Sequence, residues 1–290
     1  MNTAIQTKDT LLAGLIGRGI GQSRTPAMHM AEAKAQGMVG LYNKLDMDDP
    51  LREGMTLEQM LVGAEKAGYD GLNITYPYKQ EVIALLDELS EGARSVGAVN
   101  TVVFKDGRRI GHNTDMTGFA AGYRAGLGDA PNDHVLLVGA GGAGVAVAHA
   151  LCDCGAKRLS ITDVDPARAQ ALAAQVAKNR PATQVVAVAS TDELTGANRP
   201  QGMVNATPMG MAKLPGMSVP ESFLGADMWV ADIVYFPLET ELLAKARAVG
   251  ARVMPGSGMT VGQAIDAFKL FTGRTADGAR MKARFEEFDK

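Results

Sequence analysis

Cysteine and histidine, the side chains that most often bind transition metals, are scarce in this chain. There are two cysteines and four histidines among 290 residues. Cys152 and Cys154 lie two positions apart on a predicted helix, so they point to different faces and favour neither a metal pair nor a disulfide. The histidines are scattered, without an H-x-x-x-H or a Cys/His grouping, at His29, His112, His134 and His149. No metal site is therefore expected, and catalysis must use other groups.

Blocks of like charge and a targeting segment are also missing. The 29 Lys and Arg residues nearly balance the 32 Asp and Glu residues, for a formal net charge of -3. No basic block alternates with aromatic residues, so nucleic acid is not an expected partner and a small molecule is. The first ten residues are polar and lack a hydrophobic signal core and a small-residue cleavage site, which predicts a cytoplasmic location.

Long hydrophobic runs are rare too. The uncharged run from Val135 to Cys152 is about as long as the shortest membrane spans. Four glycines interrupt it, and no basic flank follows a hydrophobic segment of sufficient length. A membrane-spanning role is therefore not expected.

The same run carries the strongest functional motif. Val135 to Val138 predict a strand, and the glycines that follow have the spacing G-x-G-x-x-G. In a dinucleotide-binding turn, Gly139 turns the backbone, Gly141 leaves room for a pyrophosphate and Gly144 lets the helix lie close to the strand. Arg158 to Thr162 predict the next strand, and Asp163 follows at its end, where such folds need an acceptor for ribose hydroxyls. The motif favours dinucleotide binding over a purely structural turn or a methyltransferase turn.

Polar residues with two interpretations precede this motif. Ser23 and Thr25 lie in a loop before a helix opened by Pro26, where hydroxyls often serve as helix caps. Lys79 is predicted at the start of a helix after a short strand and a proline turn, and its alternative is a solvated surface lysine. Asp115 precedes a helix predicted from Met116 to Arg124, which it could simply cap.

The predicted elements indicate an α/β protein with two parts. Strands and helices alternate on both sides of a turn-rich link near residues 126–133, and alternation of this kind implies a parallel sheet. In the first part, the pattern predicts a strand over Ser95 to Phe104 and a hairpin turn at Asp106-Gly107. Ligands of such folds bind at the carboxyl ends of strands, where Thr207 and Tyr235 are expected.

Taken together and in this order, the motifs resemble the shikimate/quinate dehydrogenase family along nearly the whole chain. The resemblance rests on Ser23-x-Thr25-Pro26, Asn73-Ile74-Thr75-x-Pro77-x-Lys79, Gly97-Ala98-Val99-Asn100-Thr101, Asn113-Thr114-Asp115, the glycine turn, Asn205-Ala206-Thr207-Pro208-Met209-Gly210 and Gly258-Met259-x-Val261-x-Gln263. It implies an N-terminal α/β substrate domain, residues 1–115, that is completed by C-terminal helices in residues 256–290. Between them it implies a Rossmann-type, doubly wound nucleotide-binding domain, residues 116–255.

The resemblance also implies roles for individual residues. It makes Lys79 and Asp115 the catalytic pair. Contacts with the carboxylate and hydroxyls of the substrate are implied for Ser23, Thr25, Thr75, Asn100, Tyr235 and Gln263. Contacts with the dinucleotide are implied for Gly139, Ala140, Gly141, Gly142, Ala143, Gly144, Asp163, Thr207, Pro208, Met209, Val234, Gly256 and Met259. A homodimer is implied by the common state of relatives.

Three residues depart from the family's usual pattern. Gly19 stands where proline is frequent. Thr25 stands where strict shikimate enzymes carry a second serine, as it does in relatives that accept quinate. Asp163 replaces the Asn-Arg-Thr pattern that grips the 2′-phosphate of NADP, although Arg168 follows nearby. Gly19 bears on the geometry of the substrate loop, whereas Asp163 predicts NAD as the preferred cofactor and Thr25 predicts quinate as a second substrate.

The sequence therefore predicts interconversion of shikimate with 3-dehydroshikimate and of quinate with 3-dehydroquinate. One alternative is a paralogue that acts on an amino-substituted or otherwise altered cyclohexene or cyclohexane carboxylic acid. The other is a non-catalytic dinucleotide-binding sensor, in which Lys79 would be a surface lysine and Asp115 a helix cap.

Overall fold

Short apolar runs, separated by polar turns, build two β-sheets. The computed structural model describes residues 8–289. Residues 1–7, which form most of the polar N-terminal segment without a signal core, lie outside this range. Within the described part of the chain, each sheet has six strands. The chain divides into two compact units, one comprising residues up to Thr114 together with those from Val261 onward, and the other comprising Asp115 to Thr260.

The first unit contains a mixed sheet. Its strands are β1 (Thr10–Gly17), β2 (Val39–Asp46), β3 (Gly71–Ile74), β4 (Glu88–Leu89), β5 (Thr101–Lys105) and β6 (Arg108–His112). Their spatial order is β2-β1-β3-β5-β6-β4, with β1 parallel to β2 and β3, and β5 antiparallel to β3 and β6. The carboxyl ends of β1, β3 and β6 and the amino end of β5 therefore meet at one side, which we call the carboxyl edge of the first sheet.

Helices cover this sheet. They are α1 (Thr25–Ala35), α2 (Leu57–Lys66) and α3 (Glu91–Val96). A capping box starts α2, because the Thr56 hydroxyl accepts the Gln59 N–H and the Gln59 side chain accepts the Thr56 N–H. On its buried side, α2 contributes Leu61 to a hydrophobic cluster that also contains Leu72 of β3.

The strand predicted over Ser95 to Phe104 was wrong for its first six residues, up to Asn100. Ser95 and Val96 close α3, and Gly97 at φ +70° ends that helix in the left-handed conformation. The strand itself starts at Thr101. Gly97 indicates this helix end in the sequence, but Ala98 and Val99 follow it and made the segment resemble a continuous apolar strand.

The second unit is a doubly wound parallel sheet. Its strands are β7 (His134–Val138), β8 (Arg158–Thr162), β9 (Gln184–Ala187), β10 (Gly202–Asn205), β11 (Trp229–Asp232) and β12 (Arg252–Met254). The order β12-β11-β10-β7-β8-β9 is that of a Rossmann fold, because successive strands are added on one side of β7 up to β9 and on its other side from β10 onward. Its helices are α4 (Thr114–Leu127), α5 (Gly142–Asp153), α6 (Pro166–Asn179) and α7 (Glu241–Ala248).

Two further helices come after these, α8 (Ser257–Thr272) and α9 (Gly278–Glu286). In the first unit, a salt bridge joins α9 to α1. Arg280 of α9 donates from Nε to Oε2 of the fully buried Glu32 of α1, at 2.6 Å. The run Val135 to Cys152 forms a strand, a turn and a helix. Among the described residues no helix has both the length and the apolarity that crossing a membrane requires.

Candidate active site

Polar side chains from distant parts of the sequence meet at the carboxyl edge of the first sheet. Thr75 directly follows β3, and Asn100 directly precedes β5. The antiparallel register that pairs Asn73 with Thr101 brings them to the same end of neighbouring strands. The backbone confirms this proximity, because the Ile74 N–H donates to the Asn100 carbonyl at 2.8 Å.

The amide of Asn100 has a fixed orientation. Its side chain is buried, and its Oδ1 accepts the backbone N–H of Thr114 at 2.7 Å. A backbone N–H can only donate, so the Asn100 Nδ2 must lie on the opposite side, where it donates to Gln263 Oε1 at 3.2 Å. Gln263 consequently presents its own Nε2 as a donor. Two amide NH₂ groups thus stand side by side at this edge.

Lys79 lies in a tight turn beyond β3. The Tyr78 N–H donates to the Thr75 carbonyl at 2.9 Å, and the Val99 N–H donates to the Lys79 carbonyl at 2.8 Å. Lys79 is half-buried, and its backbone is thereby fixed against the segment that carries Asn100. The predicted helix start at Lys79 was wrong, because the next element is a short 3₁₀ helix over Glu81–Leu85.

The Thr75 side chain can approach the end of β1 closely because Gly17 has no side chain. A Cβ at Gly17 would lie 2.3 Å from the Thr75 Cγ2, a distance that real atoms do not adopt. The Thr75 N–H also donates to the Ile16 carbonyl at 2.9 Å. Gly17 therefore fixes how near the Thr75 side chain comes to the end of β1.

Ser23 and Thr25 border the start of α1. The N-cap residue is Arg24, which makes no capping bond with its side chain, and Thr25 is the first helical residue. The Ser23 Oγ accepts the Thr25 N–H at 3.4 Å. The Thr25 hydroxyl is half-buried and has no partner among the described residues, so it does not act as a helix cap.

Asp115 lies inside the first turn of α4. The helix begins at Thr114 and not at Met116, so the alternative in which Asp115 caps the helix from outside was wrong. Its side chain is 3% exposed. A buried carboxylate at this position benefits from the positive end of the helix dipole.

The glycine turn has the local structure that the motif predicts. Gly139 has φ +105°, and a Cβ there would lie 2.8 Å from the Ala206 backbone. A Cβ at Gly144 would lie 2.1 Å from the Gly139 carbonyl oxygen. Both glycines are therefore required by close approach of the protein's own backbone.

Gly141 differs from these two glycines. Its φ is -78°, an ordinary value, and a Cβ built on it meets nothing within 4 Å. Nothing within the described part of the protein requires a glycine here. A ligand that approaches the backbone at the start of α5 would require one, so the turn fits the pyrophosphate of a dinucleotide.

Asp163 is held in place by the backbone around it. Its Oδ2 accepts the Ala140 N–H at 2.7 Å, and its Oδ1 accepts the Asp165 N–H at 2.9 Å. Each carboxylate oxygen retains a second lone pair that can accept from another donor. The carboxylate therefore stands beside the glycine turn in an orientation that can receive hydroxyl groups.

Hydrogen bonds to a buried carboxylate connect the loops after β10 and β11. Asp232 is 1% exposed, and its Oδ1 accepts from Asn205 Nδ2 and from the Val234 N–H, both at 2.9 Å. Its Oδ2 accepts from the Thr240 hydroxyl at 2.8 Å. Burial raises the pKa of Asp232 to about 6, because these hydrogen bonds only partly offset the loss of water.

This arrangement positions the residues predicted to contact the dinucleotide. Asn205 also donates to the Met209 carbonyl and accepts from Thr207, which fixes the Thr207-Pro208-Met209 segment. Val234 is fixed through Asp232, and Tyr235 is exposed. A Cβ at Gly256 would lie 2.4 Å from the Val234 carbonyl oxygen, so this glycine lets α8, which carries Met259, start against the same loop.

Among residues 8–289, no three His, Cys, Asp or Glu side chains form a group that could hold a metal ion.

Comparison with known proteins identifies the family. Residues 15–102 match the family model described as the shikimate dehydrogenase substrate binding domain. The quinate/shikimate dehydrogenase (NAD(+)) of Corynebacterium efficiens is 50% identical over 96% of this chain and 98% of its own length. The shikimate dehydrogenase (NADP(+)) of Streptomyces avermitilis is also 50% identical, over 97% of each chain.

A solved structure agrees with these relatives. Quinate dehydrogenase from Corynebacterium glutamicum in complex with NAD superposes with a TM-score of 0.93 at 47% identity, over 97% of this chain and 100% of the other. The chain belongs to the shikimate/quinate dehydrogenase family. The predicted family and fold class are thereby confirmed, including the substrate domain and the Rossmann domain.

In this member of the family, the structure groups the predicted site residues by unit. In the first unit, Thr75, Asn100 and Gln263 come together at the carboxyl edge, with Lys79 in the turn beyond β3. In the second unit, the glycine turn, Asp163 and the loops after β10 and β11 lie at the carboxyl ends of parallel strands. Tyr235 and Asp115 belong to this second unit.

Sequence reasoning missed the residues that hold these groups in place. Asn73, Thr101 and Thr114 contact Asn100, and Tyr42 contacts Asn73. Asp232 with Thr240 supports the dinucleotide loops. Asn73 and Thr101 were visible only as members of motifs. Tyr42 had no local signal, because its relation to Asn73 depends on the strand order of the sheet.

Proposed function

We propose that this protein oxidises shikimate to 3-dehydroshikimate and quinate to 3-dehydroquinate, and catalyses the reverse reactions, with NAD as the preferred cofactor. One observation carries this proposal. The amide donors of Asn100 and Gln263 lie at the carboxyl edge of the first sheet, and the half-buried Lys79 follows a strand that ends at the same edge. These groups suit a ligand that presents hydroxyl oxygens and exchanges a proton at one of them. The relatives named quinate/shikimate dehydrogenase support this substrate class.

We propose specific roles for the predicted substrate-binding and catalytic residues. Ser23, Thr25, Thr75, Asn100 and Gln263 bind the carboxylate and hydroxyls of the substrate, and Tyr235 from the second unit contributes to the same task. During oxidation, Lys79 accepts the hydroxyl proton as the carbon gives up its hydride. In the reverse direction, Lys79 protonates the developing alkoxide. Asp115 is the partner of Lys79 in this transfer.

The second unit supplies the dinucleotide site. When bound, NAD supplies a nicotinamide that accepts the hydride. The glycine turn over Gly139, Ala140, Gly141, Gly142, Ala143 and Gly144 would hold the pyrophosphate at the start of α5, and Asp163 would accept the ribose hydroxyls. Thr207, Pro208, Met209, Val234, Gly256 and Met259 would line the nicotinamide end. We propose residues 1–115 and 256–290 as the substrate domain and 116–255 as the nucleotide domain; the compact units of the structure divide slightly differently, between Thr114 and Asp115 and between Thr260 and Val261.

NAD is favoured over NADP because of the environment of Asp163. Its carboxylate is fixed by two backbone N–H groups and places negative charge where a 2′-phosphate would bind. Arg168, which could neutralise that phosphate, pairs with Asp165 at 3.5 Å. Relatives named for NAD and for NADP are equally similar to this chain, so the local charge and not overall identity decides our proposal.

A spectrophotometric matrix of shikimate and quinate against NAD and NADP tests this function. We expect reduced cofactor to form with both substrates, and the higher kcat/KM with NAD. A higher kcat/KM with NADP would contradict the interpretation of Asp163. Absence of turnover with both substrates, together with dinucleotide binding, would instead favour the non-catalytic sensor, and turnover of only an altered cyclohexene acid would favour the paralogue. The cytoplasmic location and the homodimer stay predictions.

A further inference from the structure

A buried chain of hydrogen bonds connects β2 to the paired amides of the proposed substrate site. The Tyr42 hydroxyl donates to Asn73 Oδ1 at 2.7 Å. Asn73 Nδ2 donates to Thr101 Oγ1 at 2.9 Å and to the Asn100 carbonyl at 3.3 Å. Thr101 Oγ1 lies 3.2 Å from Asn100 Oδ1. All of these residues are less than 10% exposed.

A backbone carbonyl determines the direction of the bonds that Asn73 makes in this chain. The Asn100 carbonyl can only accept, so Asn73 must turn its NH₂ toward it and its Oδ1 toward Tyr42. Tyr42 is therefore the donor, and burial raises the pKa of Tyr42, which keeps its hydroxyl protonated. Thr101 accepts from Asn73, so its proton is free to go to Asn100 Oδ1, or to the Thr114 hydroxyl at 3.2 Å.

These contacts use both amide hydrogens and the side-chain oxygen of Asn73. Its two amide hydrogens go to Thr101 and Asn100, and its Oδ1 accepts from Tyr42. It has no remaining hydrogen for a ligand, although it belongs to a motif that also contains Thr75 and Lys79. The ring of Tyr42 is itself fixed, because it packs against the buried ring of His29 with centroids 4.9 Å apart.

We propose that Tyr42 and Asn73 are positioning residues of the substrate site, which hold Asn100, and through it Gln263, with the amide hydrogens available to bound substrate. This inference rests on the proposed function for what the amides bind. The positioning itself rests only on the hydrogen bonds of the first unit. Loss of the Tyr42 hydroxyl leaves Asn73 Oδ1 buried without its donor, so the Asn73 amide is held only from the side of Thr101 and Asn100.

The variant Tyr42→Phe tests the proposal, with Tyr69→Phe as its matched control. Tyr69 also belongs to the first unit and loses one hydrogen bond on substitution, since its hydroxyl accepts from Asn43 Nδ2 at 2.7 Å. That bond has no connection with Asn100. We expect Tyr42→Phe to raise the KM for shikimate about fivefold, the effect of one typical hydrogen bond, with the KM for NAD unchanged. Tyr69→Phe should leave both constants unchanged. Equal effects of the two variants on the substrate KM would overturn the proposal.

A second pair of variants serves if Tyr42→Phe does not fold. Thr101→Val removes the hydroxyl that links Asn73 to Asn100, whereas Thr101→Ser retains it. We expect the substrate KM to rise in the valine variant and to return to nearly the wild-type value in the serine variant. A serine variant as impaired as the valine variant would show that packing of the threonine methyl, and not the hydroxyl chain, is what matters.

A spectroscopic measurement separates this proposal from the proposed function. The side-chain NH₂ signals of Asn100 and Gln263 can be followed in ¹⁵N–¹H spectra without substrate. We expect both pairs of signals to shift, and their hydrogen exchange to accelerate, in Tyr42→Phe but not in Tyr69→Phe. Unchanged signals in Tyr42→Phe would refute the positioning role even in an active enzyme. A wild-type protein that turns over neither substrate would refute the proposed function while the spectra still decide the positioning.

Discussion

Lys79 is the single side chain on which the proposed chemistry depends most. We expect Lys79→Ala to lower kcat by about 100-fold or more, since a positioned acid or base contributes on that scale. Lys105→Ala, at the exposed end of β5, is the matched control and should have no effect. Steady-state kinetics on both variants check this. A Lys79→Ala enzyme within about threefold of wild type would assign proton transfer to another group.

Asp115 should act together with Lys79 if the two form one unit. Asp115→Asn keeps the size of the side chain and removes its charge, and we expect kcat to fall. The double variant should be little worse than the more impaired single variant, because groups that act together show strongly non-additive losses. Losses that multiply would instead indicate independent roles.

Thr25 is expected to influence the choice between quinate and shikimate. Quinate carries an extra hydroxyl on a tetrahedral carbon, and the Thr25 hydroxyl has no partner among the described residues. Its methyl group restricts the rotamers of that hydroxyl compared with serine. We expect Thr25→Ser to lower the quinate-to-shikimate ratio of kcat/KM about fivefold, the effect of one hydrogen bond of about 1 kcal/mol. An unchanged or higher ratio would assign quinate acceptance to another residue.

At the scale of elements, Asp232 connects two loops that we assign to the dinucleotide. Its carboxylate accepts from Asn205, Val234 and Thr240. In Asp232→Asn, an NH₂ group replaces one carboxylate oxygen and cannot accept, so at least one of these donors loses its present acceptor. We expect the KM for NAD to rise about three- to tenfold, with a smaller change in the KM for substrate.

The control for this variant is Asp227→Asn. Asp227 lies in the same unit, but its side chain is 74% exposed and pairs with Arg199 at 3.8 Å. It should leave the KM for NAD unchanged, because an exposed pair contributes little. A similar KM in all three proteins would show that the two loops hold their positions without Asp232.

The sequence predicted whole elements well where apolar runs had clear ends. The strand Arg158–Thr162 has the predicted bounds, because Gly155 ends the preceding helix and Asp163 follows the strand. The prediction was wrong around Lys79 and Ser95, where short helices and turns depend on packing against the sheet. The network around Asn100 could not be predicted at all, since it requires the register of β3 against β5 and the position of β2.

At the scale of the whole molecule, buried ionisable groups in both units link stability to pH. The pKa of every histidine, His29, His112, His134 and His149, is lowered from 6.5, with burial as the main cause. The largest shift is that of His29, whose pKa falls to about 3 and whose two ring nitrogens have no hydrogen-bond partner. Asp232 acts in the opposite direction, since its pKa is raised from 3.8 to about 6.

The sign of each contribution depends on proton binding. Between pH 6.5 and about 3, the unfolded chain protonates His29 and the native protein does not, so stability falls as the pH falls. Between pH 6 and 3.8, the native protein keeps the proton on Asp232 more tightly than the unfolded chain, so this group stabilises the fold as the pH falls. The histidines are more numerous, and we expect the molecule to lose stability on acidification from pH 7 to pH 5.

Urea denaturation of the wild type, His29→Leu and Asp232→Asn between pH 7 and pH 5 separates these contributions. One proton difference changes the free energy of unfolding by about 1.4 kcal/mol per pH unit. His29→Leu removes a proton that only the unfolded chain binds, so its stability should fall less steeply than that of wild type. Asp232→Asn removes the opposing group, so its stability should fall more steeply. A His29→Leu variant with the wild-type slope would show that His29 is protonated in the native protein, despite its burial between Tyr42, Phe268 and Phe271.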